Sequence, residues 1–252
     1  MNQWNKPPLG SIIDHEHPLS RGLVMALLMN EGSGNRIYDL TNNGNDGVLT
    51  NGPLWKPGRN GAAIEFDGNN DRIECGSNTS LLSGAFSISA RMRNKLSATA
   101  FPLCAFPNAP YILAPAANNL PLLLLGNNNY RYFNNNPKLY DGNWRHVVFT
   151  VPGGGINDIN SSAMYLESRP QTVNATVDTV DQTAKTAFRI GARQWLFSNG
   201  DISDFRIWNR ALFPDEVKDL YINPYGFIYK PQKYWLMPQG VTIPPHLFRR
   251  VA

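Results

Sequence analysis

Cysteine, charge and long apolar runs are all scarce in this chain of 252 residues. Cys75 and Cys104 are its only cysteines, and neither lies near a histidine at the spacing of zinc ligands, so we do not expect a structural zinc site. A disulfide between them is possible, but the sequence does not require one. Charged residues make up 17% of the chain and hydrophobic residues 42%, which indicates a globular rather than a disordered protein.

No segment has the pattern of a signal peptide or a membrane span. The N-terminus, MNQWNKPPLG, lacks an apolar region, and the apolar run from Leu23 to Met29 is too short to cross a bilayer. We therefore expect a protein that is made without a signal peptide and has no membrane partner.

Acidic residues are missing from the C-terminal part of the chain. Residues 220–252 contain no Asp or Glu but four basic residues, Lys230, Lys233, Arg249 and Arg250. These account for the whole net charge of +4, so residues 1–219 are formally neutral. A neutral body argues against nucleic-acid binding, which needs a concentrated basic face. The basic C-terminal part indicates an acidic protein partner, although it could also serve only as a solubilising terminus.

Common catalytic motifs are missing as well. Gly32-Ser33-Gly34 lacks the spacing of a serine nucleophile elbow, and Gly153-Gly154-Gly155 is not followed by the Lys-Ser/Thr of a phosphate-binding loop. His15 and His17 could share a metal ion, but two histidines in an extended segment are more often simply exposed. We do not expect an enzyme.

Short strand signals separated by Gly and Asn turns run through most of the chain. Residues 86–92 alternate between apolar and polar positions, as a half-buried strand requires, and an apolar face with the same spacing recurs at Val147, Phe149 and Val151. Residues 202–207 continue the pattern after a slip of one residue. Such spacing predicts an all-β protein, a two-sheet antiparallel jelly-roll sandwich. A single short helix is predicted over 214–221, where Pro214 suits the first helical position.

The two ends of the chain differ from its middle. Residues 1–20 show no sustained periodicity, and residues 223–252 combine prolines with aromatic residues, so both are predicted to be extended arms around a body at 21–222. The C-terminal arm is expected to dock onto a partner through Tyr225, Phe227, Tyr229, Lys230, Lys233, Trp235, Arg249 and Arg250.

Several blocks, in order, resemble the laminin-G-like, concanavalin A-type jelly roll. They are Gly22-Leu23-Val24 with the turn 30–34, the Asn- and Gly-rich loop 38–47, the hairpin 63–71, Asp141-Gly142-Asn143-Trp144-Arg145-His146-Val147, and the closing strand 204–212. Three features depart from the pattern: Arg91 stands where the family often has Trp, Phe213 replaces the usual Ser before the helix, and residues 98–136 match little.

This resemblance implies two kinds of site, because relatives of this fold often hold a structural calcium ion or bind glycans. One Ca²⁺ could be held by oxygen-bearing residues, namely Asp39, Asn43, Asn45, Asp46, Asp67, Asp71 and Asp204. The alternative is that these residues only serve turn geometry. A glycan could stack on Trp195, Tyr130 and Tyr132, unless these aromatics pack in the core. The Glu-x-Asp-x-x-Glu strand of glycosidases with this fold does not occur.

The ends carry a further resemblance. Lys6-Pro7-Pro8-Leu9-Gly10, residues 17–23 and Asn223-Pro224-Tyr225-Gly226 are similar to laminin-G-like proteins encoded by tailed bacteriophages. This implies a protein of the virion, a capsid decoration, head-fibre or tail-associated subunit. Its partners would be other virion subunits and further copies of itself, with cell-surface glycans a further option. The alternative is a stand-alone carbohydrate-binding adhesion module that could depend on calcium.

Overall fold

The structure is a computed structural model that describes residues 5–78, 80–82, 84–95, 101–106, 111–113, 122–124, 130–134, 137–153, 159–177, 187–193 and 195–229. The strands in chain order are β1 (Ile12–Ile13), β2 (Leu23–Leu27), β3 (Arg36–Ile37), β4 (Gly47–Thr50), β5 (Leu54–Pro57), β6 (Ala62–Asp67), β7 (Arg72–Glu74), β8 (Phe86–Asn94), β9 (Pro102–Ala105), β10 (Tyr111–Leu113), β11 (Leu122–Leu124), β12 (Tyr130–Phe133), β13 (Arg145–Val151), β14 (Ala163–Leu166), β15 (Arg169–Pro170), β16 (Val173–Val177), β17 (Arg189–Ile190), β18 (Ala192–Arg193), β19 (Leu196–Phe197), β20 (Asn199–Trp208) and β21 (Ile228–Tyr229). The helix α1 spans Pro214–Ile222.

Two large antiparallel sheets form the body and confirm the predicted sandwich. The nine-stranded sheet has the order β16-β12-β11-β10-β9-β17-β7-β4-β3. The eight-stranded sheet has the order β15-β14-β13-β8-β20-β6-β5, with β2 also paired to β20. Two small sheets, β1 with β21 and β18 with β19, complete the fold. Among the described residues, no helix has the length and apolar character that crossing a membrane requires.

The main core lies between the two large sheets and is built from alternate strand residues. In β8, Phe86, Ile88 and Met92 are buried in this core, as the alternation predicted. The strand is not half-buried, however, because Ser87, Ser89 and Arg91 on its other face are buried as well. The slip in the pattern of 202–207 is a shift in the register of β20 against β8 between Ile202 and Asp204. Such a bulge lets side chains on either side of it keep facing the same core.

A second, smaller core covers the outer face of the eight-stranded sheet. Its apolar residues come from the sheet, from α1 and from both ends of the chain. In α1, Val217 and Leu220 are buried on this face, and Trp208 of β20 donates a hydrogen bond from Nε1 to the Leu19 carbonyl at 2.7 Å. Phe213 lies just before α1, and its side chain makes no capping hydrogen bond. The backbone amide of Phe213 donates a hydrogen bond to the Glu216 carboxylate.

The ends of the chain correct part of the prediction of extended, partner-docking arms. Ile12 pairs with Tyr229 and Ile13 with Ile228, so residues from the two predicted arms form one small sheet. Tyr225 and Phe227 are buried in the second core. Their docking to a partner is therefore a wrong prediction: burying these rings on the chain's own sheet removes them from water without any partner. Lys230, Lys233, Trp235, Arg249 and Arg250 lie outside the described residues.

Cys75 and Cys104 are both buried in the main core, and the possible disulfide between them is not formed. Burial raises the pKa of the Cys75 thiol well above its ordinary value. Both residues therefore pack as small apolar side chains.

Candidate functional site

The predicted aromatic glycan contacts lie on different strands of the fold. Trp195 lies in the turn between β18 and β19, where 78% of its surface is exposed. The base of this hairpin is tied to β9, because the Gly191 amide donates to the Leu103 carbonyl and Ser198 Oγ donates to the Pro102 carbonyl. The indole is thus presented to solvent by a hairpin held at its base.

Tyr130 and Tyr132 belong to β12, which is separated from β9 by β10 and β11. Three strand spacings amount to about 14 Å. The Tyr132 side chain is half-buried. The prediction of one joint site with Trp195 therefore gains no support from the described geometry, and Trp195 is more exposed than Tyr132.

The first predicted group of calcium ligands forms a closed hydrogen-bond network. Asp39 Oδ1 accepts from the backbone amides of Ala26 and Thr41, and Oδ2 accepts from the backbone and side chain of Asn45. Asp46 Oδ1 accepts from the Asp39 amide, and its other oxygen faces Arg36. The Asp39 carboxylate therefore holds the loop against β2.

The two amides of the same loop are engaged as well. The side chains of Asn43 and Asn45 both donate to the Val24 carbonyl, and Asn45 Oδ1 accepts from Asn78 Nδ2. Calcium needs six to eight free oxygen ligands. The described loop directs its oxygens to amide donors instead.

The remaining predicted ligands form two further networks. Asp71 Oδ2 accepts from the Asp67 amide, and Asp67 accepts from Asn69, so both shape the tip of the β6–β7 hairpin. Asp204 of β20 is fully buried beside the cationic side chains of Arg91 and Arg206. The described residues contain no group of three or more His, Cys, Asp or Glu side chains suited to a metal ion. The seven residues as described do not fit a single calcium site.

The Asp204 network lies between the eight-stranded sheet and the segments that cover it. Asp204 Oδ1 is 3.1 Å from Arg206 Nη1, and its Oδ2 is 3.7 Å from Arg91 Nε. Tyr225 donates from its hydroxyl to Oδ2 at 3.2 Å. Burial raises the pKa of Asp204, but the positive charges of Arg206, Arg91 and Lys6 outweigh burial and leave that pKa below its ordinary value.

Lys6 connects the N-terminal segment to this network. Its Nζ donates to the carbonyls of Met29, Ala62 and Ser203. Burial and the nearby arginines outweigh Asp204 and lower the pKa of Lys6 to about 7. Three cationic side chains thus surround one buried carboxylate. Sequence reasoning missed this cluster, and Arg91 in place of the family's Trp was its signal.

His146 belongs to β13, which pairs with β8. It lies directly opposite Arg91, on the same face of the sheet. Its Nε2 is 2.9 Å from Ser89 Oγ, and its ring stacks on Tyr221 of α1 with centroids 5.9 Å apart. Burial and then the neighbouring Arg91 hold the pKa of His146 well below its ordinary value. The imidazole is therefore neutral at physiological pH and packs as a structural group.

Two clefts open on the described surface near the Asp39 loop. One has a volume of about 570 Å³ and is lined in part by the amides of Asn43, Asn45, Asn78 and Asn209. The other, of about 550 Å³, lies between residues 8–15 and residues 28–42. Both fall in the range of small-ligand pockets.

The two large antiparallel sheets and the helix α1 have the architecture of a lectin-type jelly roll. A model of the concanavalin A-like lectin/glucanases superfamily matches residues 67–218, and the chain belongs to this superfamily. No curated protein matches the chain.

Solved structures share the fold at low identity. Domain 4 of AbnA, an extracellular arabinanase from Geobacillus stearothermophilus solved in complex with arabinotriose, is 20% identical; the match covers 79% of this chain and 98% of that one, with a TM-score of 0.61. The binding domain of Paraclostridial mosquitocidal protein 1 is 17% identical, with 81% and 53% covered and a TM-score of 0.63.

Other similar structures extend the range of proteins that use this fold. The binding domain of botulinum neurotoxin DC, in complex with rat synaptotagmin II, is 12% identical, with 80% of this chain and 51% of that one covered and a TM-score of 0.57. Trypanosoma rangeli sialidase matches at 16% identity over 33% of its length. The chain thus spans about half of each toxin domain and a third of the sialidase. The fold occurs in carbohydrate-binding and receptor-binding domains and in proteins that include enzymes.

Proposed function

We propose that the protein is a non-enzymatic structural protein of a tailed-bacteriophage virion, a capsid decoration, head-fibre or tail-associated subunit. The observation that carries this proposal is the pairing of β1 with β21, which anchors Tyr229 to the body immediately before an acid-free segment. The lectin-type body would face outward, and residues 230–252 would attach it to neighbouring subunits.

The composition of residues 230–252 supports attachment to an acidic surface. The segment carries Lys230, Lys233, Arg249 and Arg250 and no acidic residue, together with Tyr234, Trp235 and Phe248. Aromatic and arginine side chains are the residue types that dominate binding energy in protein interfaces. The positive charge would speed encounter with an acidic partner and would favour it over basic ones.

The described carboxylates support a role without catalysis. Asp39 and Asp71 accept hydrogen bonds from the chain's own backbone amides, and Asp204 is buried among cations. A glycosidase with this fold needs two carboxylates that flank a sugar bond across an open site. These three side chains are instead committed to holding the body together.

A truncation after Tyr229 tests the attachment. We expect this variant to keep the body folded, because both cores lie within the described residues up to Tyr229. It should no longer co-sediment with particles assembled from the virion's other proteins, whereas the full chain should. The matched control keeps the length and changes Lys230, Lys233, Arg249 and Arg250 to Gln, which should weaken incorporation relative to the full chain more at low salt than at high salt, because high salt already screens these charges. Full incorporation of the truncated protein would overturn the proposal.

The second candidate function is carbohydrate binding by the same body, and the exposed Trp195 favours it. An indole on a pinned hairpin is costly to leave in water but suited to stacking on a sugar ring. The AbnA domain, solved with arabinotriose, shows that one protein of this fold binds an oligosaccharide. The two functions are compatible, since an attached subunit can present a glycan-binding face.

A glycan array with the full chain tests this candidate. Trp195→Ala should lower glycan binding by about tenfold or more, because the loss of a stacking aromatic removes one of the strongest contacts of such a site. Phe213→Ala is the matched control, since Phe213 is 71% exposed before α1. Equal binding by the two variants, or a silent array with the unaltered protein, would remove carbohydrate binding from consideration.

A further inference from the structure

The cleft of about 550 Å³ combines an apolar rim with acidic walls. Leu9, Ile12 and Tyr38 line it and are 58%, 63% and 59% exposed. These three are among the few large apolar side chains that the described surface leaves in water. Exposed apolar side chains gathered around one cleft mark a surface that another molecule covers.

The carboxylates that line this cleft belong to Glu31 and Asp39, and its described lining includes His15 but no Lys or Arg. Glu31 Oε1 accepts a hydrogen bond from the Tyr38 amide, while Oε2 is buried and has no hydrogen-bond partner among the described residues. Asp14 adds a carboxylate beside β1, where it accepts from the Tyr229 hydroxyl. A basic and aromatic ligand therefore complements this cleft better than an acidic one.

We propose that the cleft binds the segment 230–236 from a neighbouring copy of this chain. This segment reads Lys-Pro-Gln-Lys-Tyr-Trp-Leu and contains two cations, two aromatic residues and no acid. Its cations match Glu31 and Asp14, and its rings match the apolar rim. The inference rests on the proposed function and names the partner of the attachment segment as a second copy.

The geometry at Tyr229 favours a neighbouring copy over the same chain. β21 runs antiparallel to β1 and ends at Tyr229, opposite Ile12. On the β1 side, residues 8–11 offer no extended strand beside Ile12, because they turn tightly: the Ser11 amide donates to the Pro8 carbonyl, and Gly10 has a φ of 79°. In the sequence, Pro231 directly follows Lys230, and because proline disfavours helical backbone at the residue before it, we expect no immediate reversal into the chain's own cleft.

Cysteine cross-linking between two full-length variants tests the proposal. One variant carries Tyr38→Cys in the cleft and the other carries Gln232→Cys, which spares the basic and aromatic residues of the segment. The two native cysteines are buried and stay in place. After mixing and mild oxidation, we expect a disulfide-linked heterodimer whose joined peptides contain positions 38 and 232. The control replaces Tyr38→Cys by Glu16→Cys, at an exposed position outside the cleft lining.

The cleft pair should give about tenfold more heterodimer than the control pair, because docking raises the effective concentration of the two thiols. Equal yields would overturn the proposal. The double variant Tyr38→Cys/Gln232→Cys tests the same-chain alternative: an intramolecular disulfide in a monomer, with no heterodimer from the mixture, would also overturn it.

A charge exchange provides a second readout that does not need cysteines. Glu31→Lys should abolish self-association in sedimentation, and mixing it with Lys230→Glu/Lys233→Glu should restore association. A restored complex supports the pairing, and its absence with both variants folded contradicts it. Virion incorporation is measured separately. If the unaltered protein is incorporated into particles but does not self-associate, this inference alone is refuted. If it self-associates but is not incorporated, the virion role alone is refuted.

Discussion

At the scale of single residues, Asp204 shows how environment changes the meaning of a side chain. In the sequence it is an oxygen donor suited to calcium, whereas in the fold it is a fully buried anion between Arg91 and Arg206. A buried charge is tolerated only where opposite charges and hydrogen bonds compensate for lost hydration. Asp204 therefore stabilises the covered face of the eight-stranded sheet.

Asp204→Asn should destabilise the protein by about 3–5 kcal/mol, because it leaves Arg91, Arg206 and Lys6 without their buried counter-charge. Urea unfolding of the full chain measures this. The control is Asp219→Asn, at an exposed position of α1, which should change the unfolding free energy by less than about 0.5 kcal/mol. Equal effects of the two substitutions would show that the cluster does not depend on Asp204.

Lys6 makes stability depend on pH above neutrality. Its pKa is lowered from 10.5 to about 7 in the folded protein, so the unfolded chain binds more protons between these values. The free energy of unfolding should therefore rise as the pH increases from 7 to 9.5, by up to about 1.4 kcal/mol per pH unit. Lys6→Met should flatten this rise. If the unfolding free energy of Lys6→Met rises with pH as steeply as that of the unaltered protein, other groups cause the pH dependence.

At the scale of elements, residues 223–229 after α1, which we call the return segment, belong to the body. Phe227 is fully buried, and the Arg206 guanidinium lies over the rings of Tyr225 and Phe227 at 5.3 and 5.8 Å from their centroids. Together with α1, this segment covers a sheet face that would otherwise expose both apolar and charged side chains. The apolar contacts fix its position over the sheet.

Phe227→Ala should lower the unfolding free energy by about 3–5 kcal/mol, since it removes a fully buried ring from the second core. Phe213→Ala, the exposed counterpart before α1, should cost less than about 0.5 kcal/mol. Thermal unfolding of both variants gives the comparison. If Phe227→Ala unfolds like the unaltered protein, the return segment is not part of the stable body.

At the scale of the whole molecule, the acidic and amide residues of three separate parts of the fold, two loops and the strand β20, each organise their own surroundings. The Asp39 loop is tied to β2, the Asp67 hairpin closes on itself, and Asp204 lies under the return segment. Chelation by EDTA should therefore leave the melting temperature of the full chain unchanged, and added Ca²⁺ should not raise it. A calcium-dependent increase of several degrees would show that the ion recruits these oxygens after all.

Strand alternation, turn residues and the family resemblance were sufficient to predict the sandwich, and Pro214 with the helical spacing after it predicted the position of α1. The one-residue slip near Ile202 was visible in the sequence, and the structure shows it to be a shift in strand register. Proximity between distant residues was not predictable in the same way. Nothing local relates Lys6 to Asp204, or Ile12 to Tyr229, since those contacts follow from how the sheets stack and where the ends cross them.

The sequence by itself determined the fold class, the apolar faces of the strands and the acid-free C-terminal segment, because each is a property of neighbouring residues. Only the tertiary structure decided which oxygens are free to bind, which aromatics are buried and where the two ends meet. Those outcomes depend on the burial and pairing of groups far apart in the chain, and a side chain's chemistry changes once water is removed from around it.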